Sequence, residues 1–350
     1  VDAARTSSDG TRVVRGALGV ASIVRRVKNV TVLAGGVGGS RFLRGVRAAL
    51  SDEPDARITA IVNTGDDMWL AGLRIAPDLD TITYALAGVN DEERGWGRVG
   101  ETERVAAELA AFGVGWPWFT LGDLDLGTHI ARTAFLREGL PLSEATRRIT
   151  ARWPLGVELL PATDDEVETH VVTDDGELHF EEWWTRLRAG TPARAFRQTG
   201  VERSAPAPGV LGAIAGADVV LLAPSNPVVS IGTILGIPGI REAVQGTAAP
   251  VVGVSPIIGG AVVRGMADAC LAAIGVETDA AAVARHYGPR RAHGRAAGGL
   301  LDGWLVDEVD ADTAGPLTQD GIPTRALGLR MRDEISSAAI ARAALELAAR

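Results

Sequence analysis

The sequence predicts an α/β protein built on a parallel sheet, with a smaller antiparallel insertion. Three observations carry this: short β-branched apolar runs that stop in polar or glycine loops, helical spacing between them, and one stretch of strict period-two alternation. Residues 29–34 (NVTVLA) form the first run, which breaks into Gly35-Gly36-Val37-Gly38-Gly39-Ser40. Phe42, Leu43, Val46 and Leu50 then fall at helical spacing, so the order is strand, glycine loop, helix. A second strand over 56–62 ends in Asn63-Thr64-Gly65-Asp66-Asp67, which gives a parallel β-α-β start.

Helices are expected at 82–86 and 101–112, around the Gly- and charge-rich segment 88–100, then at 126–137 and from Ser143-Glu144 onward. At Val167 the period changes. Val167, Thr169, Val171 and Thr173 alternate with Glu168, His170 and Val172, and Asp174-Asp175-Gly176 followed by 177–184 completes a hairpin with an Asp-Gly turn. Strands at 218–223 and 250–254 restore the buried parallel type, ending in Pro224-Ser225-Asn226-Pro227 and Ser255-Pro256-Ile257-Ile258-Gly259-Gly260. Late strands at 303–309 and 324–329 precede an Ala-rich closing helix over 333–350. The expected organisation is an N-terminal extension at 1–28, a core of 29–140 and 205–350, and an insertion with helix and hairpin at 141–204.

Composition narrows the class of function. With 350 residues, 46% of them apolar, the chain sustains one large or two ordinary domains. A net charge of −9 opposes binding to nucleic acid and to anionic membranes. Cys270 is the only cysteine, which excludes a disulfide framework within the chain and any cysteine-cluster metal site, and fits a cytoplasmic location. The richest apolar stretch, 217–223, stops at Pro224, far short of the roughly 18 residues of a membrane helix. Residues 1–28 carry Arg12, Arg15, Arg25 and Arg26 without an uncharged apolar block and read as an extension or an over-long start assignment rather than a targeting signal.

The loops hold the candidate chemistry. Gly35 to Ser40, between a strand and a helix, reads either as a phosphate cradle at a positive helix end or as a tight turn. Arg41 stands where the third glycine of a dinucleotide fingerprint belongs, and the only lysine, Lys28, precedes the strand, so neither that fingerprint nor a Walker loop is present. Asp66 and Asp67, at a strand's C-terminal end, suit Mg²⁺ or a hydroxyl nucleophile, or else an Asx turn. Asp78 and Asp80 offer a second metal-facing pair, with the capping of the helix at Ile82 as the simpler role for Asp80. Asn226 and the Ser255 to Gly260 loop, at two further strand ends, suit a base, a ribose or plain turns. Trp69, Trp96, Trp116, Trp118, Trp183 and Trp184 serve a stacked planar ligand or the core. His129, His170, His179, His286 and His293 show no metal spacing, and no nucleophile elbow occurs.

The segments LAGGVGGSRFLRG, NTGDDMWLAGLRIAPDLDTITYALAGV, GDLDLGTHIART, APSNPVVSIGTIL and VVGVSPIIGG together resemble the 2-phospho-L-lactate transferase family (CofD, FbiA in actinobacteria). The resemblance runs from Asn29 to Gly288, leaves the extension uncovered and is weak in the tail. It implies a Rossmann-like nucleotide domain, a smaller α/β insertion, a Mg²⁺ requirement and a homodimer. The implied reaction moves a phosphoenolpyruvyl or 2-phospho-L-lactyl group from a guanosine diphosphate donor to the ribityl hydroxyl of the deazaflavin Fo, releasing GMP, in biosynthesis of the coenzyme factor 420. By the same resemblance, Gly36, Gly38, Gly39, Ser40, Asn63, Thr64, Ser225, Asn226, Ser255, Pro256, Gly259 and Gly260 bind the substrates. Asp66 and Asp67 act in catalysis and, with Asp80, hold the metal; Arg98 and Arg104 contact Fo or phosphate, or lie on a solvated helix face. A related branch that binds nucleotide-sugars and regulates metabolism is the alternative. A nicotinamide oxidoreductase ranks last, because Asn63 stands where a ribose-binding acid belongs.

Overall fold

The computed structural model describes residues 27–292 and 295–349, so His293 and all but the last two residues of the expected extension lie outside it. Seven strands make one sheet, and only these are numbered: β1 (Asn29–Ala34), β2 (Arg57–Val62), β3 (Glu158–Pro161), β4 (Val219–Leu222), β5 (Val251–Val254), β6 (Gly303–Val306) and β7 (Thr324–Ala326). Across the sheet they run β7-β6-β5-β4-β1-β2-β3, every neighbouring pair parallel. This is the 3-2-1-4-5-6 order of a Rossmann-like sheet with a seventh strand at one edge.

The strand sequences dictate that arrangement. β4, β5 and β6 are buried at every position, as strands covered on both faces must be. Alternate side chains divide between two cores. Leu33, Ile61, Val220 and Leu222 pack with the helices Val210–Ala215, Ile231–Gly236 and Ile240–Gly246. Val32, Ala60, Val62 and Leu221 pack on the opposite side with α1 (Gly36–Ala49), α2 (Pro77–Ala87) and the closing helix Glu334–Ala348. Among the described residues, no helix is long and apolar enough to cross a membrane.

The chain leaves β1 toward β2 and β3, then returns to β4 on the other side of β1. Where the direction reverses, the loops after β1 and β4 part and leave a crevice at the strands' C-terminal ends, the place where open α/β sheets take their ligands.

Several expectations shift. Within the expected insertion at 141–204, residues 158–161 are the edge strand β3 of the main sheet, paired with β2. The separate antiparallel sheet has three strands, Gly176–His179, Glu168–Thr173 and Ala195–Thr199, in that order. Thr173 pairs with Gly176, so the tight turn is Asp174-Asp175. The strand expected through 184 ends at His179, after which the chain coils into a helical segment containing Glu182–Arg186. Helix α2 begins at Pro77 with Ala76 at its cap, so Asp80 lies inside the helix and does not cap it. Proline is favoured there because its missing N–H needs no partner in a first turn.

Candidate active site

The crevice opens into a cavity of about 1090 Å³. Its floor is the turn from β1 into α1. The Gly35 N–H donates to Ser225 Oγ (3.0 Å), and that hydroxyl donates to the Gly35 carbonyl (2.7 Å), so one serine ties the β1 and β4 loops together. Glycine is required at 38 because a Cβ would stand 2.4 Å from the Pro224 carbonyl oxygen. Gly36 has φ +61° and donates its N–H to Asp78 Oδ1 (2.8 Å). The next amides, Val37 and Gly38, lie in the first turn of α1, where a helix supplies no acceptor and its dipole favours an anion.

Beside this cradle stands a group of buried acids. Asn63 Nδ2 donates to Asp66 Oδ2 (3.2 Å) and Asp78 Oδ2 (2.9 Å), while Asn63 Oδ1 accepts from the Gly65 N–H (3.0 Å). Asp66 and Asp78 face the cavity, and Glu181 reaches it from the segment between the Gly176–His179 and Ala195–Thr199 strands of the small sheet. Glu181 Oε2 accepts the Thr185 hydroxyl at 3.2 Å. Burial pushes the Asp66 carboxyl well above its ordinary value, reinforced by the charges of Asp78 and Glu181. Burial raises Asp78 to about 6 against the opposing hydrogen bonds of Asn63 and Gly36, and raises Glu181 to about 7 with help from Asp78.

These acids bind protons more tightly folded than unfolded, so they favour the fold most below their unfolded pKa near 4. That contribution is lost as pH rises through about 6 to 7. We expect the stability difference between wild type and Asp66→Asn to move in the variant's favour as pH rises from the acid range, where the carboxyl is protonated folded and unfolded, into the range where it ionises. Thermal melts of the two proteins across that range check it; a difference independent of pH would mean that Asp66 titrates normally.

A second polar network lies on another wall. Helix α3 (Asp123–Arg137) presents Asp125, His129 and Arg132, all buried, toward Asp80 of α2. Arg132 Nη2 donates to Asp80 Oδ1, and its Nη1 lies 3.2 Å from His129 Nδ1. His129 Nδ1 also lies 3.4 Å from Asp80 Oδ2, and its Nε2 lies 3.3 Å from Asp125 Oδ2, so the ring stands between two carboxylates. Asp125 Oδ1 accepts the Tyr84 hydroxyl at 2.7 Å. Burial alone would raise Asp125, but the His129 and Tyr84 hydrogen bonds outweigh it and hold the carboxyl below its ordinary value. Asp80, Asp125 and His129 offer ligand atoms within 4.8 Å of one another, an arrangement that the sequence spacing did not disclose. Arg132 already supplies positive charge there, which disfavours a metal ion.

The structure distributes the remaining candidates as follows. Gly36, Gly38, Ser225, Asn226, Ser255 and Pro256 line the cavity, as do Asp66 and Asp80. Gly39 and Ser40 lie behind it, the Ser40 hydroxyl donating to the Val37 carbonyl (2.9 Å). Asn63 and Thr64 are fully buried beneath it. Asp67 lies off the wall, its carboxylate 3.6 Å from Arg74 Nη2, with burial raising it to about 7 against the pull of Arg74 and Arg132. Arg98 is buried against Tyr84 and Trp153 and donates to the Leu124 carbonyl (3.3 Å); Arg104 is exposed at a helix start. The Gly259 N–H donates to the Asp310 carboxylate (3.0 Å), and with Gly260 it lies away from the cavity. Asn226 Oδ1 accepts from the Val228 (2.9 Å) and Val229 (3.3 Å) amides, and its Nδ2 meets Cys270 Sγ at 3.3 Å. Of the tryptophans, Trp96, Trp118 and Trp184 reach the cavity, whereas Trp183 is core.

The sequence profile of a family described as 2-phospho-L-lactate transferase CofD matches residues 30–325. The chain is 57% identical over 323 residues to a protein of Streptomyces griseus subsp. griseus named phosphoenolpyruvate transferase, covering 91% of this chain and 98% of that one. A protein of the same name from Thermobifida fusca is 56% identical over 328 residues, covering 91% and 97%. Among solved structures, a UPF0052-family protein of Bacillus halodurans superposes with a TM-score of 0.59 at 19% identity, over 91% of this chain and 99% of that one.

Proposed function

The chain belongs to the CofD family of 2-phospho-L-lactate transferases, and from that premise we propose that it transfers a phosphoenolpyruvyl or 2-phospho-L-lactyl group from a guanosine diphosphate-linked donor to a ribityl hydroxyl of the deazaflavin Fo, releasing GMP. The carrying observation is the position of Asp78, whose two carboxylate oxygens bridge the Gly36 amide and, through Asn63, the acid Asp66. That bridge sets two carboxylates beside the first-turn amides of α1, which supports reading this turn as a diphosphate site.

This donor set fits Mg²⁺, which takes one or two carboxylates and fills its remaining positions with phosphate oxygens and water. Asp66 Oδ1 is buried without a hydrogen-bond partner, as an oxygen reserved for a cation would be. Asp66 and Asp78 would hold the ion, which when bound neutralises charge on the diphosphate. Asp67 and Asp80, expected to share that role, also keep buried oxygens without a hydrogen bond, but Arg74 and Arg132 already supply positive charge beside them.

The chain's own groups do the rest. The first-turn amides of α1 hold the diphosphate, while Trp96, Trp118 and Phe119 offer apolar faces for a planar ring. The acceptor oxygen forms a bond to the phosphorus bearing the three-carbon group, the diphosphate bridge breaks, and GMP leaves with the bonding electron pair. The hydroxyl proton passes to the acid cluster, whose raised proton affinity suits it to receive one. No covalent enzyme intermediate is required; positioning and charge neutralisation suffice.

Incubation with Fo, Mg²⁺ and each of the two guanosine donors tests this, read by product mass and GMP release. We expect transfer from at least one donor, and GDP competing better than ADP or UDP, with Asn226 Nδ2 as a candidate contact to the base. Absence of product from both donors would sink the reading, and preferential binding of a uridine diphosphate sugar would replace it with a nucleotide-sugar-binding role.

A further inference from the structure

The wall contributed by the small sheet ends in a strained turn. Arg188 has φ +50° and Ala189 φ +54°, consecutive left-handed residues that are not glycine. The turn is pinned from inside: the Ala189 N–H donates to the Trp183 carbonyl (3.0 Å), the Gly190 N–H to the Leu187 carbonyl (2.8 Å), and the buried Trp183 indole to the Thr191 carbonyl (2.7 Å). Glycine at 188 would adopt this conformation without strain. Arginine gains only what its side chain does, and Arg188 is an exposed residue at the cavity's edge.

Arginines near it in the chain are already paired: Arg186 with Glu182, Arg194 with Asp174 (2.6 Å), and Arg197 with Glu177 (2.9 Å). Among the described residues, Arg188 has no hydrogen-bond or ion-pair partner. It shares its segment with Glu181 and Thr185, which also line the cavity, and Glu181 feels the charge of Asp78. Arg188 therefore lies on the same side of the cavity as the acid Glu181.

A transferred phosphoenolpyruvyl or phospholactyl group has a carboxylate in addition to its phosphate. The diphosphate has the α1 amides to receive it, but a carboxylate placed near Asp66, Asp78 and Glu181 would be repelled without a cation of its own. A planar guanidinium matches a carboxylate with two parallel hydrogen bonds, which a lysine does not. We propose that Arg188, held on the cavity wall by the strained turn at 188–189, binds the carboxylate of the three-carbon group and so makes the donor's acid end part of its recognition. This rests on the transfer reading above.

The test uses the full-length protein and compares the guanosine donor with GDP, which has no three-carbon acid. In Arg188→Gly the turn loses its strain at 188, so thermal stability is kept or raised, while KM for the donor rises on the order of tenfold or more and GDP affinity stays at the wild-type value. Arg188→Lys retains charge without the planar fork and is expected to fall between; it also serves if the glycine variant does not fold. An unchanged donor KM in either variant, or an equal loss of GDP affinity, overturns the assignment. A wild-type protein that binds GDP yet transfers from neither donor overturns the transfer reading itself, and the carboxylate clamp with it.

Discussion

Replacing Asp66 with asparagine is expected to lower the transfer rate on the order of 10²-fold or more, the scale of losing one well-placed charged or acid–base group in a water-poor site. Asp66 faces the cavity, shares Asn63 with Asp78, and keeps one buried oxygen free of any hydrogen bond. Asparagine fills the same volume but cannot bind a cation or accept a proton as a carboxylate does. The stability of the variant separates this loss from misfolding. Because burial raises the Asp66 carboxyl, ionising it in the folded state is unfavourable, so Asp66→Asn should be at least as stable as wild type near neutral pH. Turnover at saturating Mg²⁺ and a thermal melt decide the matter together. Near-normal turnover in a folded variant would remove Asp66 from the chemistry.

Arg132→Met should cost about 3 to 5 kcal/mol of stability, the usual penalty for removing one partner of a buried ion pair. Arg132 is almost wholly buried, and its guanidinium serves Asp80, His129 and the Arg74 carbonyl (3.3 Å). Without it, Asp80 remains in the interior beside Asp125, and His129 loses the neighbour that holds its ring. Adding Asp80→Asn to Arg132→Met should recover part of the loss, because the stranded charge is then gone. Urea denaturation of the single and double variants measures both steps. A single-variant loss below about 1 kcal/mol would show that water solvates this network.

Much of the fold was legible because its signals are local. The runs at 29–34 and 250–254 stop in glycine or Ser-Pro loops, and strand ending is a matter of the next few residues. β3 escaped notice: Glu158–Pro161 is four residues long, ends in proline, and becomes a strand only by pairing with β2. The segment after His179 misled for the opposite reason. Its residues suit a strand, but burying Trp183 and turning at Arg188 require a coil. In the site, the glycine loop and the Asp66-Asp67 cluster declared themselves by composition, but nothing local separated the two acids. Asp66 meets the cavity and Asp67 meets Arg74, because adjacent residues of one loop point to different neighbours. The Asp125, His129 and Arg132 network had a signal that went unused: spacings of four and three residues put all three on one face of a helix, and Leu126 and Thr133 are buried on the same helix.

The sequence by itself determined the strands that end in loops, the glycines that allow close approach, and the absence of an intrachain disulfide, of a cysteine-cluster metal site and of the dinucleotide and Walker fingerprints. Only the tertiary structure decided which groups work together. Gly35 meets Ser225 across 190 positions, Gly36 meets Asp78 across 42, and Asp80 meets Arg132 across 52. The physical reason is that backbone propensity acts over a few residues, whereas the state of a buried charge depends on which distant element removes its water and which supplies its partner. Asp66, Asp78 and Glu181 are ordinary carboxylates as written in the chain, and burial in one crevice gives them their raised proton affinity.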